Sequence, residues 1–216
     1  DPRLVEVILR ESRDVLRYKP GVLIVEHVLG YVHANAGIDR SNIGGSENMV
    51  LLLPENPDAS AARLRCRIAQ ELGVEVAIII NDSAGRAWRE GAIGFAVGCA
   101  GFEPVLDLAG KKDLSGRPMQ VTKVAIADEL AAAASFQMGQ SDEGLPVVQV
   151  CGANLATGSA GCAALIRSRT SDQLREQRWA HWEPGCGRGQ AVSAEPSWYW
   201  GFPAYWRHNS WLSALI

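Results

Sequence analysis

Val76-Ala-Ile-Ile-Ile80 runs without a break into Asn81-Asp82-Ser83-Ala-Gly85-Arg86, an apolar, β-branched stretch that hands over to a short polar loop with an aspartate among small residues. The apolar run predicts a strand. The same pattern occurs earlier: Val22-Leu-Ile-Val25 and Gly30-Tyr-Val32 precede Asn35-Ala-Gly37-Ile-Asp39-Arg-Ser-Asn42. Each polar loop is expected to open from a sheet edge. Between them, Met49 to Leu53 reads as a short buried strand closed by Pro54 and Pro57. Asp58 reads as the N-cap of a helix to about Leu72, and Gly73 ends it. Strand, helix, strand is an order that often places ligand-binding loops at one sheet edge.

Together the two loops look like one cation and phosphate site. Magnesium and manganese prefer oxygen ligands, typically one or two carboxylates, a hydroxyl and the oxygens of a bound phosphate. Asp39, Asp82 and Ser83 supply that set. Glycines at 37 and 85 would let the backbone take left-handed angles and approach a ligand closely, and Arg86 could add a fork of donors. An aspartate or asparagine after a strand also makes turns with its own backbone, and that reading competes for either loop alone.

The chain has 216 residues, 47% hydrophobic and 21% charged, with a net charge of −3, as in an ordinary globular protein. No Lys/Arg stripe is present, so a nucleic-acid duplex is not an expected partner. No apolar run approaches the roughly 18 residues of a membrane helix, so no membrane association is expected. Cys66, Cys99, Cys151, Cys162 and Cys186 show no CxxC and no zinc spacing with histidine, and read as reduced thiols of a cytoplasmic chain. The chain starts at Asp1 without methionine, so a leader could have preceded it.

Asp1 as N-cap, Pro2 at the first helical position, and Leu4, Val5, Ile8, Leu9, Val15 and Leu16 predict an amphipathic opening helix. Glycines at 91, 94, 98 and 101, interleaved with Ile93, Phe95, Val97, Phe102, Val105 and Leu108, predict strands and tight turns. Gly110-Lys-Lys112-Asp-Leu-Ser-Gly116-Arg117 is a basic turn, either solvated or facing a ligand. From Thr122 as N-cap, an alanine-rich helix is expected to reach Met138 and stop at Gly139. Met138-Gly139-Gln140-Ser141-Asp142-Glu143-Gly144-Leu145-Pro146 is a polar loop before a strand Val147 to Val150. Walker A and GxGxxG signatures are absent. His27 and His33 read as structural or solvated rather than as ligands, Trp88 as a site or core residue, and Cys99 and Cys151 as small core residues.

At Ala34–Asn42, Leu52-Leu-Pro54 with Asp58, Asn81–Arg89, Gly110–Gly116, Val121-Thr122 with Ala127-Asp-Glu129, and Met138-Gly-Gln140, the sequence resembles the coenzyme F420-0:L-glutamate ligase (F420 gamma-glutamyl ligase) family. The resemblance covers roughly Asp1 to Arg175 and follows the family's motif order. It implies an α+β fold particular to that family, an intertwined homodimer and a cytoplasmic ligase that adds L-glutamate to coenzyme F420-0 through gamma linkages at the expense of GTP. It also implies two divalent metal sites, magnesium or manganese, with potassium as a further cation. Asp39 and Asp82 match the ligands of one ion, and Ser83 and Gln140 those of the second. Asn42 with Met138, Gly139, Gln140, Ser141, Asp142, Glu143, Gly144 and Leu145 matches the nucleotide contacts. The mechanism so implied is phosphoryl transfer from GTP to the terminal carboxylate of the coenzyme, giving an acyl phosphate that the glutamate amine attacks, with Arg86 and Lys112 as candidates for neutralising charge. Asp142 or Glu143 could accept from the N–H edge of guanine, or both could simply be solvated.

Two departures qualify the resemblance. Family members begin upstream with a segment supplying further GTP contacts, including a lysine, so an N-terminally truncated chain is expected. The family domain is expected over 1–175, and residues 176–216 follow it as a tail. That tail holds six of the seven tryptophans, at 179, 182, 198, 200, 206 and 211, with Tyr199, Phe202 and Tyr205. It has no periodicity of a domain, and is either an aberrant extension or an interaction segment. Three functions remain open: an active ligase, a metal- and nucleotide-binding fragment without turnover, and an interaction protein that uses the tail.

Overall fold

Ile78, Ile79 and Ile80 are all buried, and they divide between two layers. Ile78 and Ile80 pack with Ala61 and Val97, whereas Ile79 packs with Ala127, Ala131, Ala134 and Met138. An uninterrupted apolar run is what a strand covered on both faces requires. The computed structural model describes residues 1–43, 48–168 and 170–172, and the backbone of 213–215. Asp1–Ile166 with Arg207–Ile216 make one compact unit; Arg167–Trp206 make another, whose described residues form a turn in which Ser171 N–H donates to Ser168 O.

The chain opens with α1 (Pro2–Arg10), capped by the Asp1 carboxylate on Arg3 N–H. It does not continue through Val15 and Leu16 as the spacing predicted. Those residues lie in β1 (Ser12–Lys19), which turns at Pro20-Gly21 into β2 (Val22–His27), followed by β3 (Val32–Ala34), giving an antiparallel sheet in the order β1-β2-β3. Gly21 has φ +87°, so a Pro-Gly turn closes this hairpin and wins over helical spacing. A single 3-10 turn, Asn35–Gly37, leads from β3 to the first polar loop. Met49 to Leu53 is not a strand: only Leu51 bridges, to Asp39, and the segment is half-buried or exposed.

Helix α2 (Pro57–Leu72) is capped by Asn56, which accepts from Ala59 N–H, and ends at Gly73 with φ 69°. Asp58 is therefore not the cap. Its Oδ1 reaches across to accept from Cys99 N–H at 2.8 Å and Cys162 N–H at 2.9 Å. Strand β4 (Ile78–Arg86) pairs antiparallel with β5 (Arg89–Ala100). The predicted loop Asn81–Arg86 is thus the second half of a strand, and Gly85 is extended rather than left-handed. Between Ile80 and Asn81 the register shifts by one residue on β5, leaving Val97 as a bulge. The backbone there is satisfied by side chains: Tyr31 Oη donates to Val97 O, and Asp128 accepts from Ala96 N–H.

Two further strands, β6 (Leu106–Asp107) and β7 (Lys123–Val124), make a small ladder. Because Lys123 and Val124 are in it, Thr122 does not cap the next helix. Helix α3 (Ile126–Met138) begins after Ala125, without a side-chain cap, and stops at Gly139. Strand β8 covers Val147–Val148, shorter than the predicted four residues, and pairs in parallel with β9 (Ser213–Leu215), which also lies beside β4; the sheet order is β5-β4-β9-β8. Among the described residues the architecture is mixed α/β, with three α-helices and small, mainly antiparallel sheets, in keeping with an α+β fold. Among the described residues no helix is long and apolar enough to cross a membrane. Cys99 is buried as expected, Cys151 is exposed, and Trp88 is fully exposed with φ 63° at the β4–β5 turn, so it belongs to neither core nor cleft. The tryptophans after residue 176 lie outside the described residues.

The helices approach β5 so closely that glycine is required on it. A Cβ on Gly94 would overlap Ser135 Cβ and lie 2.7 Å from Ala131 O in α3, and one on Gly98 would overlap Pro57 in α2. Gly85 on β4 has nothing within 4 Å of that position. Gly94→Ala is therefore expected to lower unfolding free energy by about 1–3 kcal/mol, the usual cost of overpacking. Gly85→Ala should stay within about 0.5 kcal/mol. Urea denaturation of both variants measures the difference, and equal midpoints would contradict the packing described.

Candidate functional site

Beyond Ile80 the strand β4 outruns its apolar neighbours and becomes polar, and alternation distributes its side chains. Asn81 Nδ2 donates to Ala131 O of α3 at 3.2 Å. Asp82, one residue on, faces the opposite way, toward β3: its Oδ2 lies 3.3 Å from His33 Nε2. Its Oδ1 accepts from Ser83 N–H at 2.7 Å. The bulge at Val97 sits where the apolar half of the strand changes to the polar half.

A cleft of about 530 Å³ opens at this end of β4. Four segments build it among the described residues. The loop after β3 supplies Asp39, Ser41 and Asn42, Leu51 bridges to Asp39, β4 supplies Asn81, Asp82 and Ser83, and the end of α3 with its following loop supplies Ser135 and 138–146. Apolar packing of Ile79 against Met138 joins β4 to α3, and polar contacts join the first loop to the others. Asn42 Nδ2 donates to Ser141 O at 2.9 Å across 99 residues of chain. Asp39 Oδ1 accepts from Ser41 N–H at 2.8 Å and Ser41 Oγ at 2.6 Å. Gln140 Nε2 donates to Ser135 Oγ at 2.9 Å, which leaves Oε1 as the amide atom suited to a cation. Asn42 has φ 53°, and Gly37, with φ 66°, lets the first loop turn against Asp82 as the sequence predicted.

The cleft therefore gathers Asp39, Asn42, Asp82, Ser83 and the whole run Met138, Gly139, Gln140, Ser141, Asp142, Glu143, Gly144 and Leu145. Arg86 and Lys112 are not in its lining. Arg86 is exposed at the far end of β4, and Lys112 is exposed in the turn bridged to Pro118. Ser41, Asn81 and Ser135 are lining residues that motif reading passed over. The Asp39-Arg-Ser41 spacing of an Asx turn could have signalled the first. His33 was read as structural, yet it is the side chain behind Asp82.

Electrostatics follow from the lining. Among the described residues it contains four carboxylates, Asp39, Asp82, Asp142 and Glu143, and neither lysine nor arginine. Oxygen donors dominate, a set suited to hard cations. His33 Nδ1 lies 2.9 Å from Ala34 O. Burial works against a charge on His33, but the hydrogen bond to Asp82 and its negative charge outweigh burial and raise its pKa. Glu143 Oε2 accepts from Ser141 N–H at 2.8 Å within its own loop. Gly139 beneath that carboxylate has φ +79°, a backbone conformation that favours glycine.

Comparison with known proteins gives consistent relatives. The family model described as F420-0:Gamma-glutamyl ligase matches residues 1–152. The chain is similar to the coenzyme F420:L-glutamate ligase of Methanocaldococcus jannaschii, 43% identical over 175 residues, covering 81% of this chain and 69% of the relative. That of Methanothermobacter thermautotrophicus is 45% identical over 177 residues, with 81% and 69% covered. That of Methanopyrus kandleri is 44% identical over 179 residues, with 81% and 70% covered.

The Glu143 contact has a pH signature. Backbone N–H groups, that of Ser141 first, hold its carboxyl below the ordinary glutamate range. A depressed folded pKa means the contact is present above the ordinary value and is lost as pH falls through the folded one. The Ser141 amide resonance should therefore titrate with a midpoint below that of a solvated glutamate. A midpoint at the ordinary value would show that the carboxylate does not rest on the loop.

Proposed function

This chain belongs to the F420-0:gamma-glutamyl ligase family, and from that premise we propose that it joins L-glutamate to coenzyme F420-0 in a GTP-dependent, metal-assisted reaction. The observation that carries the reading is that Asp39, Asn42, Asp82, Ser83 and 138–145 meet in one cleft, with no lysine or arginine in its lining among the described residues. A triphosphate brought to four carboxylates would be repelled at close range. Divalent cations resolve that conflict, and the donor set fits them: every candidate atom is an oxygen, carboxylate in Asp39 and Asp82, hydroxyl in Ser83 and amide in Gln140. Asp39 and Asp82 would hold one ion, Ser83 and Gln140 the other, with magnesium or manganese as the metal and potassium as a further cation.

When bound, such ions would neutralise the phosphates and the phosphoryl group in transfer. The protein's own part is positioning. Ser41 fixes Asp39, Ser83 N–H fixes Asp82, Ser135 fixes Gln140, and Asn42 ties the first loop to the loop after α3. Asn42 and the loop 138–145 would seat the nucleotide, with Asp142 or Glu143 reading the guanine N–H edge. The γ-phosphoryl group passes to the terminal carboxylate of the coenzyme, giving GDP and an acyl phosphate. The glutamate amine then attacks the acyl carbon, the amide bond forms, and phosphate and a proton leave. Holding the reactants in line accounts for the acceleration without a covalent enzyme intermediate. Arg86 and Lys112, outside the cleft of their own chain, would contribute to charge neutralisation only if delivered by a loop movement or by a second copy in a homodimer.

The test is GTP-dependent addition of glutamate to F420-0, read by mass spectrometry with manganese present. The intact chain should give the glutamate mass increment, and Asp82→Asn should lower its rate about 100-fold or more. Manganese and GDP binding without an increment would support a binding fragment instead. An increment insensitive to Asp82→Asn would overturn the site.

A further inference from the structure

The side chain behind Asp82 has no part in the reading above. His33 sits in β3 and is nine-tenths buried, with its ring tilted against Phe95 at a centroid distance of 5.7 Å. Phe95 is the residue opposite Asp82 in the β4–β5 ladder, so one aromatic ring backs both groups. His33 Nε2 and Asp82 Oδ2 are both closed to solvent and lie 3.3 Å apart, close enough to pair on a slight rotation of either group, and neither atom has an aligned hydrogen bond elsewhere. Gly37 closes the remaining side, since a Cβ placed on it would be 3.3 Å from Asp82 Oδ2. Water has no access to this oxygen. Unless the imidazole serves it, a carboxylate oxygen is buried with nothing to bond, which proteins rarely tolerate.

The ring's other nitrogen shows that its orientation is fixed. Nδ1 lies 2.9 Å from Ala34 O, and the ring is pinned between that carbonyl and the carboxylate, with Phe95 across its face. A lone pair on Nε2 would face the carboxylate's own lone pairs, so the proton in this contact sits on Nε2, donating to Asp82. Asp82 is then held at both oxygens, Oδ2 by His33 and Oδ1 by Ser83 N–H at 2.7 Å. The carboxylate plane cannot turn, and the lone pair left on Oδ1 is the one presented to the cleft.

We propose that His33 is a positioning residue for the cation site: by donating from Nε2 to Asp82 Oδ2 it orients the carboxylate that takes the ion, without itself touching ion or nucleotide. This rests on the reading of Asp82 as a metal ligand. Groups that orient a metal's ligands commonly contribute 10–100-fold to its affinity. A role in packing alone predicts something different, namely a loss of stability with metal affinity unchanged.

The experiment compares wild type, His33→Phe and His33→Gln. His33→Phe keeps an aromatic ring against Phe95 but removes the donor. His33→Gln keeps a donor at about the reach of Nε2. Manganese binding is titrated by the loss of the free-ion EPR signal, and thermal melting in chelator monitors the fold. His33→Phe should bind manganese about 10-fold or more weakly, with His33→Gln recovering most of the affinity. Pulsed EPR on the wild-type complex should show no directly coordinated nitrogen. Equal affinity in wild type and His33→Phe overturns the proposal and leaves the metal site standing, as does loss in both variants in step with their melting temperatures. A strong nitrogen coupling to manganese overturns it by making His33 a ligand. Failure of the wild type to bind manganese would instead sink the reading on which it rests.

Discussion

Burial of β4 on both faces is the constraint on which the rest of the structure depends. Three consecutive isoleucines leave the strand no solvent-facing side, so a helix must cover each face, and α2 and α3 do so. Each buried isoleucine contributes roughly 1.5–3 kcal/mol relative to exposure. The gain is realised only if the helices come close, and Gly94 and Gly98 on the neighbouring strand permit that approach. Asp58 and Asp128 then reach from the two helices to N–H groups of β5, so polar contacts lock the layers that apolar burial brings together.

The cleft is a by-product of the same arrangement. Where β4 passes the ends of its covering layers, its residues change from isoleucine to asparagine, aspartate and serine, and alternation sends successive side chains to α3 and to β3. The site therefore straddles one strand and draws on both layers. Its segments are far apart in sequence and are tied by hydrogen bonds of ordinary length, through the hydroxyls of Ser41 and Ser135 and the backbone carbonyl of Ser141. Ser41, Ser135 and Ser141 each orient a group that lines the cleft or the loop that forms it.

Much of the fold was legible because single residues carry unambiguous physics. The run Ile78–Ile80 announced a covered strand, and Gly73 and Gly139 ended helices where glycine best tolerates the required backbone. What failed to be legible depended on partners. Val15 and Leu16 fit helical spacing, and only the Pro20-Gly21 turn and pairing with β2 make them strand. Asp58 is a good capping residue, but Asn56 took the cap and freed Asp58 to bond β5. Asn81 to Arg86 looked like a loop because its residues are polar and small, and the partner strand extended it. At the site, Asp39, Asp82, Ser83 and the 138–145 loop were reachable through motif resemblance, whereas the Asn42–Ser141 contact and the His33–Asp82 pair are tertiary and leave no periodic trace. Arg86 and Lys112 were chosen for charge, a property that does not locate a side chain.

The loop after α3 carries its own anion. Glu143 places a carboxylate on the backbone N–H of Ser141, two residues away in a loop that lines the cleft. Any incoming anion that uses that donor competes with a group whose local concentration is set by the chain rather than by the solution. The affinity of such a ligand is then a difference between two anions for one donor. Because that carboxylate is exposed, salt screens its hold on the donor, so ionic strength and ligand affinity are linked through a residue that need never touch the ligand.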